Sequence, residues 1–184
     1  MSATNTPATG HGVDPAFADE FGQKVIGAWN SHQPDQLLEL LTDDVVYDDS
    51  GWPKQMRGHT DVREFLESNW RAAPDLTFEI VEGSLVDPAA PRTAHHWHAT
   101  ATDTGVWDPP GLAPTGRPMS FDGAAFYELR DGKACRVRVV YDVASILRQM
   151  GVLPQTGSPG ERIMTTTANV MTRIRSRLTH TSGA

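Results

Sequence analysis

The chain has 184 residues and a formal net charge of −7, with 39% hydrophobic and 21% charged residues. That composition fits one soluble domain with tails and leaves no room for a second full domain. The acidic balance disfavours a nucleic-acid partner, which would need clustered Lys and Arg, and no apolar run approaches the roughly 20 residues of a membrane span.

Residues 1–13 read as a disordered tail, rich in Thr, Ala and Gly, without the basic region and apolar core of a signal peptide. The lone cysteine, Cys135, excludes an intrachain disulfide and fits a reducing cytoplasm. Asp14-Pro15 is a cap followed by proline at the first helical position. Phe17, Phe21, Val25, Ala28 and Trp29 then recur at helical spacing and predict a helix over 15–31. Pro34 opens a second, short helix with Leu37, Leu38, Leu40 and Leu41 inward, and Asp44 to Asp49 reads as a first strand. Val62, Phe65, Leu66 and Trp70 mark a third helix, which Pro74-Asp75 breaks.

Leu76 to Val86 has strand composition, and three longer strands follow at 93–102, 119–129 and 134–142. Three helices followed by a meander make an α+β order. The expected architecture is a cone-shaped, curved antiparallel sheet wrapped around the three N-terminal helices, over residues 14–153. Residues 154–184 form an extension with one helix, started by a capping box at Ser158 and Glu161. Its stripe of Ile163, Thr167, Met171, Ile174 and Leu178 suits packing on its own domain, a lid or a dimer arm.

Strand parity separates the faces. Cys135, Val137, Val139 and Tyr141 share one face of the last strand; Met119, Phe121, Ala125 and Tyr127 share one face of the strand before it; Trp97, Ala99 and Ala101 do so in the next. These sets predict a pocket walled by Trp97, Phe121, Tyr127, Tyr141, Val139 and Ala125, with Trp107 beside it and Asp49 and Trp52 at its mouth. Such aromatic walls suit a flat, hydrophobic small molecule. The proton-moving candidates are Asp103 and Asp142 at strand ends, Asp49 by parity with Val45 and Tyr47, and Tyr127 and Tyr141 as donors to developing oxygen charge. Asp142 also suits a helix cap, and Asp103 a turn. His95, His96 and His98 do not converge on one face, so no metal is expected. The outer face, with Phe126, Val140, His96 and His98, suits a homodimer through the sheet.

The loop Gly111 to Pro118, containing Pro114-Thr115-Gly116, is followed by the hairpin Asp131-Gly132-Lys133, then Asp142 and Arg148-Gln149-Met150-Gly151. This ordered set resembles the SnoaL-like polyketide cyclases, a branch of the nuclear-transport-factor-2-like superfamily, over about Phe17 to Gly151. The resemblance implies cofactor-free acid/base chemistry on a polyketide-like molecule. It also implies an aspartate and a histidine at the positions that are Val139 and Ala125 here. Two functions therefore follow from the sequence: a cyclase or isomerase whose proton-transfer group lies elsewhere, or a binding module that keeps only the pocket.

Overall fold

The structure, a computed structural model, describes residues 12–181, with the side chains of residue 174 and residues 177–181 outside the description. Most of the expected N-terminal tail, and the Ile174 and Leu178 side chains of the expected C-terminal stripe, thus lie outside the described residues.

Helix α1, Pro15–Ser31, starts where Asp14 Oδ1 accepts the Phe17 N–H at 3.0 Å and Pro15 occupies the first turn. Its apolar stripe of Phe21, Val25, Ala28 and Trp29 is buried. Helix α2, Pro34–Leu38, leads to strand β1, Leu41–Asp49. Strand β2, Met56–Arg57, precedes helix α3, Gly58–Ala72, which buries Val62, Phe65, Leu66 and Trp70. The expected single strand over 76–86 is instead two short ones, β3 at Thr77–Ile80 and β4 at Leu85–Val86. The intervening Glu82-Gly83-Ser84 interrupts the pairing; the Ser84 N–H is held by Asp19 Oδ1 of α1 at 2.9 Å.

Strands β5 (Arg92–Thr102), β6 (Pro118–Arg130) and β7 (Lys133–Tyr141) form the meander. Asp131 and Gly132, both at positive φ, make the β6–β7 turn. The sheet order is β2-β1-β7-β6-β5-β3, with β4 also on β5. Every pairing is antiparallel except β1 with β7, which is parallel. The sheet is therefore mixed rather than wholly antiparallel, because these two strands are far apart in sequence and no hairpin dictates their direction.

A second departure lies in β7. The register shifts beside Leu129, so Ala134 and Val137 both point inward and Cys135 is only half-buried. Cys135 was expected on the concave face; the bulge turns it aside and leaves its Sγ 3.3 Å from the Glu128 carbonyl.

The core fills the concave side of the sheet beneath α1 and α3. Phe21 meets Tyr127 edge-on at 5.3 Å, and Trp29 meets Trp70 and Phe78 at 5.7 and 5.1 Å. Helix α4, Val143–Gln149, lies against β6. Helix α5, Pro159–Thr181, begins with the expected capping box, Ser158 Oγ accepting the Glu161 N–H at 3.2 Å. Its described side chains from Arg162 to Arg173 are all exposed. Packing on its own domain is thus not observed: Ile163, Val170 and Met171 have no core beneath them.

Candidate active site

The cone encloses a cavity of about 390 Å³. Its wall follows from the cross-strand rows. One row of Cα partners holds Tyr47, Val137 and Tyr127; the next holds Asp49, Val139, Ala125 and His95; a third holds Tyr141, Gly123 and Trp97. Trp97 packs closely against Gly123, where a Cβ would come within 2.3 Å of the indole. Trp97 also meets Phe121 and Tyr141 edge-on at 5.9 and 6.0 Å. Trp52, Trp107, Phe121, Ala125 and Val139 all line the same chamber. Ala125 and Val139 are both buried, so the small side chains at these two positions face the interior.

Two aspartates line this largely apolar chamber, Asp49 and Asp108; Asp108 is exposed, whereas Asp49 is half-buried. Tyr141 Oη donates to Asp49 Oδ1 at 2.7 Å, and the Gly51 N–H donates to the same oxygen at 2.8 Å. Burial raises the Asp49 pKa above its ordinary 3.8, against the opposing effect of these two hydrogen bonds. Burial also raises the Tyr141 pKa, assisted by the charge of Asp49, so the phenol keeps its proton and remains the donor. Gly51 makes the pair possible: a Cβ there would sit 2.3 Å from Tyr141 Oη. Asp49 Oδ2 has no hydrogen-bond partner among the described residues and is open to a ligand. Parity had pointed to Asp49 as inward; its direct link to Tyr141 was not foreseen, because the parallel β1–β7 pairing that joins them was not.

Asp103 and Asp142, the leading sequence candidates, do not border the cavity. Asp103 is fully buried beneath the loop 103–118. Its Oδ1 accepts Trp107 Nε1–H at 2.8 Å, and its Oδ2 accepts the Thr115 N–H and hydroxyl at 2.7 and 2.6 Å. With three donors on its two oxygens, it fastens the loop and holds Trp107 across the cavity mouth. Asp142 accepts the Ser145 N–H at 2.9 Å and caps α4. The helix it caps contributes Val143, Ile146 and Leu147 to the wall.

Tyr47, which the sequence argument used only for parity, lines the cavity with Tyr127. His95 is buried, holds the Ala18 carbonyl through Nε2 at 3.0 Å, and has its pKa lowered by burial. On the outer face, His98 Nδ1 meets Asp122 at 3.0 Å, and His96 Nδ1 lies 3.6 Å from Glu82. No group of three or more His, Cys, Asp or Glu able to hold a metal occurs among the described residues. None of their helices is long and apolar enough to cross a membrane.

A mixed sheet curled around helices, with an apolar cavity on its concave side, defines a ketosteroid-isomerase-like α+β fold. The sequence profile of the SnoaL-like polyketide cyclases matches residues 21–150, and the chain belongs to that family. No curated protein matches it in sequence. Among solved structures it is similar to AclR of Streptomyces galilaeus, a proposed hydroxylase, at 20% identity and TM-score 0.65, covering 93% of this chain and 99% of that one. It is also similar to IdmH of Streptomyces antibioticus, a proposed polyketide cyclase, at 20% identity and TM-score 0.60, covering 73% and 98%. At such identities the likeness establishes a shared fold.

Proposed function

We propose that this chain is a cofactor-independent cyclase or isomerase that moves a proton on a hydrophobic, polycyclic or polyketide-like molecule, with Asp49 as general base. The observation that carries the proposal is the Asp49–Tyr141 pair in a largely apolar chamber. Asp49 Oδ2 takes a proton from an acidic C–H of the ligand, while Tyr141 and the Gly51 amide steady Oδ1. A carboxylate with a raised pKa is a stronger base than one in water, which is what proton abstraction near neutral pH requires. The reading includes action in the cytoplasm and a homodimer through the outer sheet face, where Phe126 is 47% exposed. Light scattering on the 20.1 kDa chain tests the dimer, and a monomer mass would oppose it.

A second reading, a non-catalytic binding module, is favoured by Val139 and Ala125 at the positions where the resemblance implies acid/base residues. Exchange of the α-protons of 2-tetralone in D₂O, followed by proton NMR, separates the two. Catalysed exchange that falls by about two to four orders of magnitude in Asp49→Asn supports the enzyme. Binding of 2-tetralone without catalysed exchange supports the module.

A further inference from the structure

A second set of reactive groups lies on the convex face of the sheet, away from the Asp49 chamber. Ser120 and Asp122 of β6 and His98 of β5 all point outward, and none of them lines the cavity. His98 stands directly across from Asp122, and Ser120 pairs with Thr100. One strand thus presents a hydroxyl and a carboxylate to the two nitrogens of one imidazole. His98 Nδ1 meets Asp122 Oδ1 at 3.0 Å, and the Ser120 hydroxyl meets His98 Nε2 at 3.1 Å.

The directions of these hydrogen bonds follow from what each group can donate. A carboxylate only accepts, so in the neutral imidazole the proton sits on Nδ1 and points at Asp122. Nε2 then carries the lone pair and accepts from the Ser120 hydroxyl. Carboxylate, imidazole and hydroxyl in this order activate a serine for nucleophilic attack, because the imidazole takes the hydroxyl proton while the carboxylate holds its tautomer. His96 lies 3.9 Å from the same Asp122 oxygen, farther than His98, and does not displace it.

Two observations separate the trio from an ordinary polar surface. The His98 side chain is only 28% exposed, so its ring is confined between its partners. The backbone of Ser120 is also clamped. Strand β7 ends at Tyr141, opposite Gly123, and leaves the next turn of β6 without a neighbour on that side. Gln149 of α4 fills the gap: its Oε1 accepts the Ser120 N–H at 2.8 Å, and its Nε2 donates to the Ser120 carbonyl at 2.9 Å. Phe126, the exposed apolar residue of this face, is four residues from Asp122 along β6, about 13 Å, so a dimer contact centred on it need not cover the trio.

We infer that Ser120, His98 and Asp122 form a second, surface-borne site for acyl transfer, independent of the chemistry assigned to Asp49. Because Gln149 takes the Ser120 N–H, that amide is not free to stabilise an oxyanion. The substrate must bring its own activation, which makes it an aryl ester or a thioester rather than an amide. Ser120 Oγ bonds to the acyl carbon as His98 Nε2 takes the hydroxyl proton. The bond to the leaving oxygen or sulfur breaks, and the leaving group takes that proton. Water, deprotonated by His98, then attacks the acyl-serine; the carboxylic acid departs and Ser120 regains its proton from His98.

The test treats the full chain with a biotinylated fluorophosphonate, which bonds to an activated serine with loss of fluoride, and locates the label by peptide mass spectrometry. The wild type should carry it on Ser120 and lose its hydrolysis of 4-nitrophenyl acetate in proportion. His98→Gln should slow labelling by about a hundredfold or more, the usual contribution of a general base. Asp122→Asn, which no longer fixes the Nδ1 proton, should slow it by about tenfold or more. Ser120→Ala should abolish both the label and the catalysed hydrolysis. Melting temperatures close to that of the wild type would show that all three variants fold. A label absent from Ser120, an unchanged labelling rate in His98→Gln or Asp122→Asn, or catalysed hydrolysis that survives Ser120→Ala would each overturn the site.

Discussion

Asp103 is the sharpest test of structure against sequence, because its burial and position at a strand end suit a catalyst while its contacts suit a fastener. Asp103→Ala removes an acceptor for three hydrogen bonds, from Trp107 Nε1 at 2.8 Å and from the Thr115 N–H and hydroxyl at 2.7 and 2.6 Å. Hydrogen bonds to a charged group are worth about 1.5–3 kcal/mol each. Two effects reduce that sum: the carboxylate no longer has to be buried, and the freed Thr115 hydroxyl and Trp107 can turn toward water. A net loss of about 2–4 kcal/mol follows, well below the simple sum of the three hydrogen bonds. For a domain of this length that lowers the melting temperature by roughly 5–15 °C. Urea unfolding with Asp103→Ala, Trp107→Phe and the double variant measures the coupling, expected at about 1–2 kcal/mol between the two residues. Asp103→Asn, which retains one acceptor for Trp107, should fall between. Wild-type stability in Asp103→Asn combined with a thousandfold loss of exchange activity would refute the structural role and return Asp103 to the chemistry.

Three further outcomes are expected. Burial raises the folded pKa of Asp49, so stability falls as pH climbs from the ordinary 3.8 through that raised value; Asp49→Asn should then melt higher than the wild type at pH 7, by about 0.5–2 kcal/mol, with the gap closing below pH 3.8 in calorimetry. Gly51→Ala places a Cβ 2.3 Å from Tyr141 Oη, and should reduce 2-tetralone exchange as much as Tyr141→Phe does, whereas Gly27→Ala, with nothing within 4 Å, should leave it unchanged. Removing residues 158–184 should leave the thermal stability of the domain within about 0.5 kcal/mol, since the described side chains of α5 from Arg162 to Arg173 are exposed.

Much of the fold was legible because local chemistry and tertiary packing agree. Asp14-Pro15 starts α1, the Asp131-Gly132 turn sets the β6–β7 hairpin, and alternation puts Trp97, Ala99, Ala101, Ala125 and Val139 on the buried face. Parity failed only where the period changed, at the bulge beside Leu129 that displaces Cys135. The candidate site was legible in its walls and less so in its acids. Asp103, Asp142 and Asp49 all stand at strand ends and are indistinguishable by type. What separates them is which neighbours reach them: loop donors for Asp103, an amide of α4 for Asp142, and for Asp49 a tyrosine 92 residues away, brought close by a parallel pairing that no hairpin signal announces. Tyr47 was hidden for the same reason, since its significance depends on sharing a row with Tyr127 across β7.

The account turns on Asp49 being a carboxylate whose proton affinity is raised by an apolar chamber. Carbon-13 NMR of the wild-type chain labelled at aspartate carboxyl carbons, with Asp49→Asn to assign the resonance, follows that group from pH 3 to 8. A midpoint above the ordinary 3.8, moving further upward when Gly51→Ala displaces the Tyr141 hydrogen bond that favours the ionised form, is the predicted result; a midpoint at or below 3.8 would contradict the assignment of Asp49 as the base.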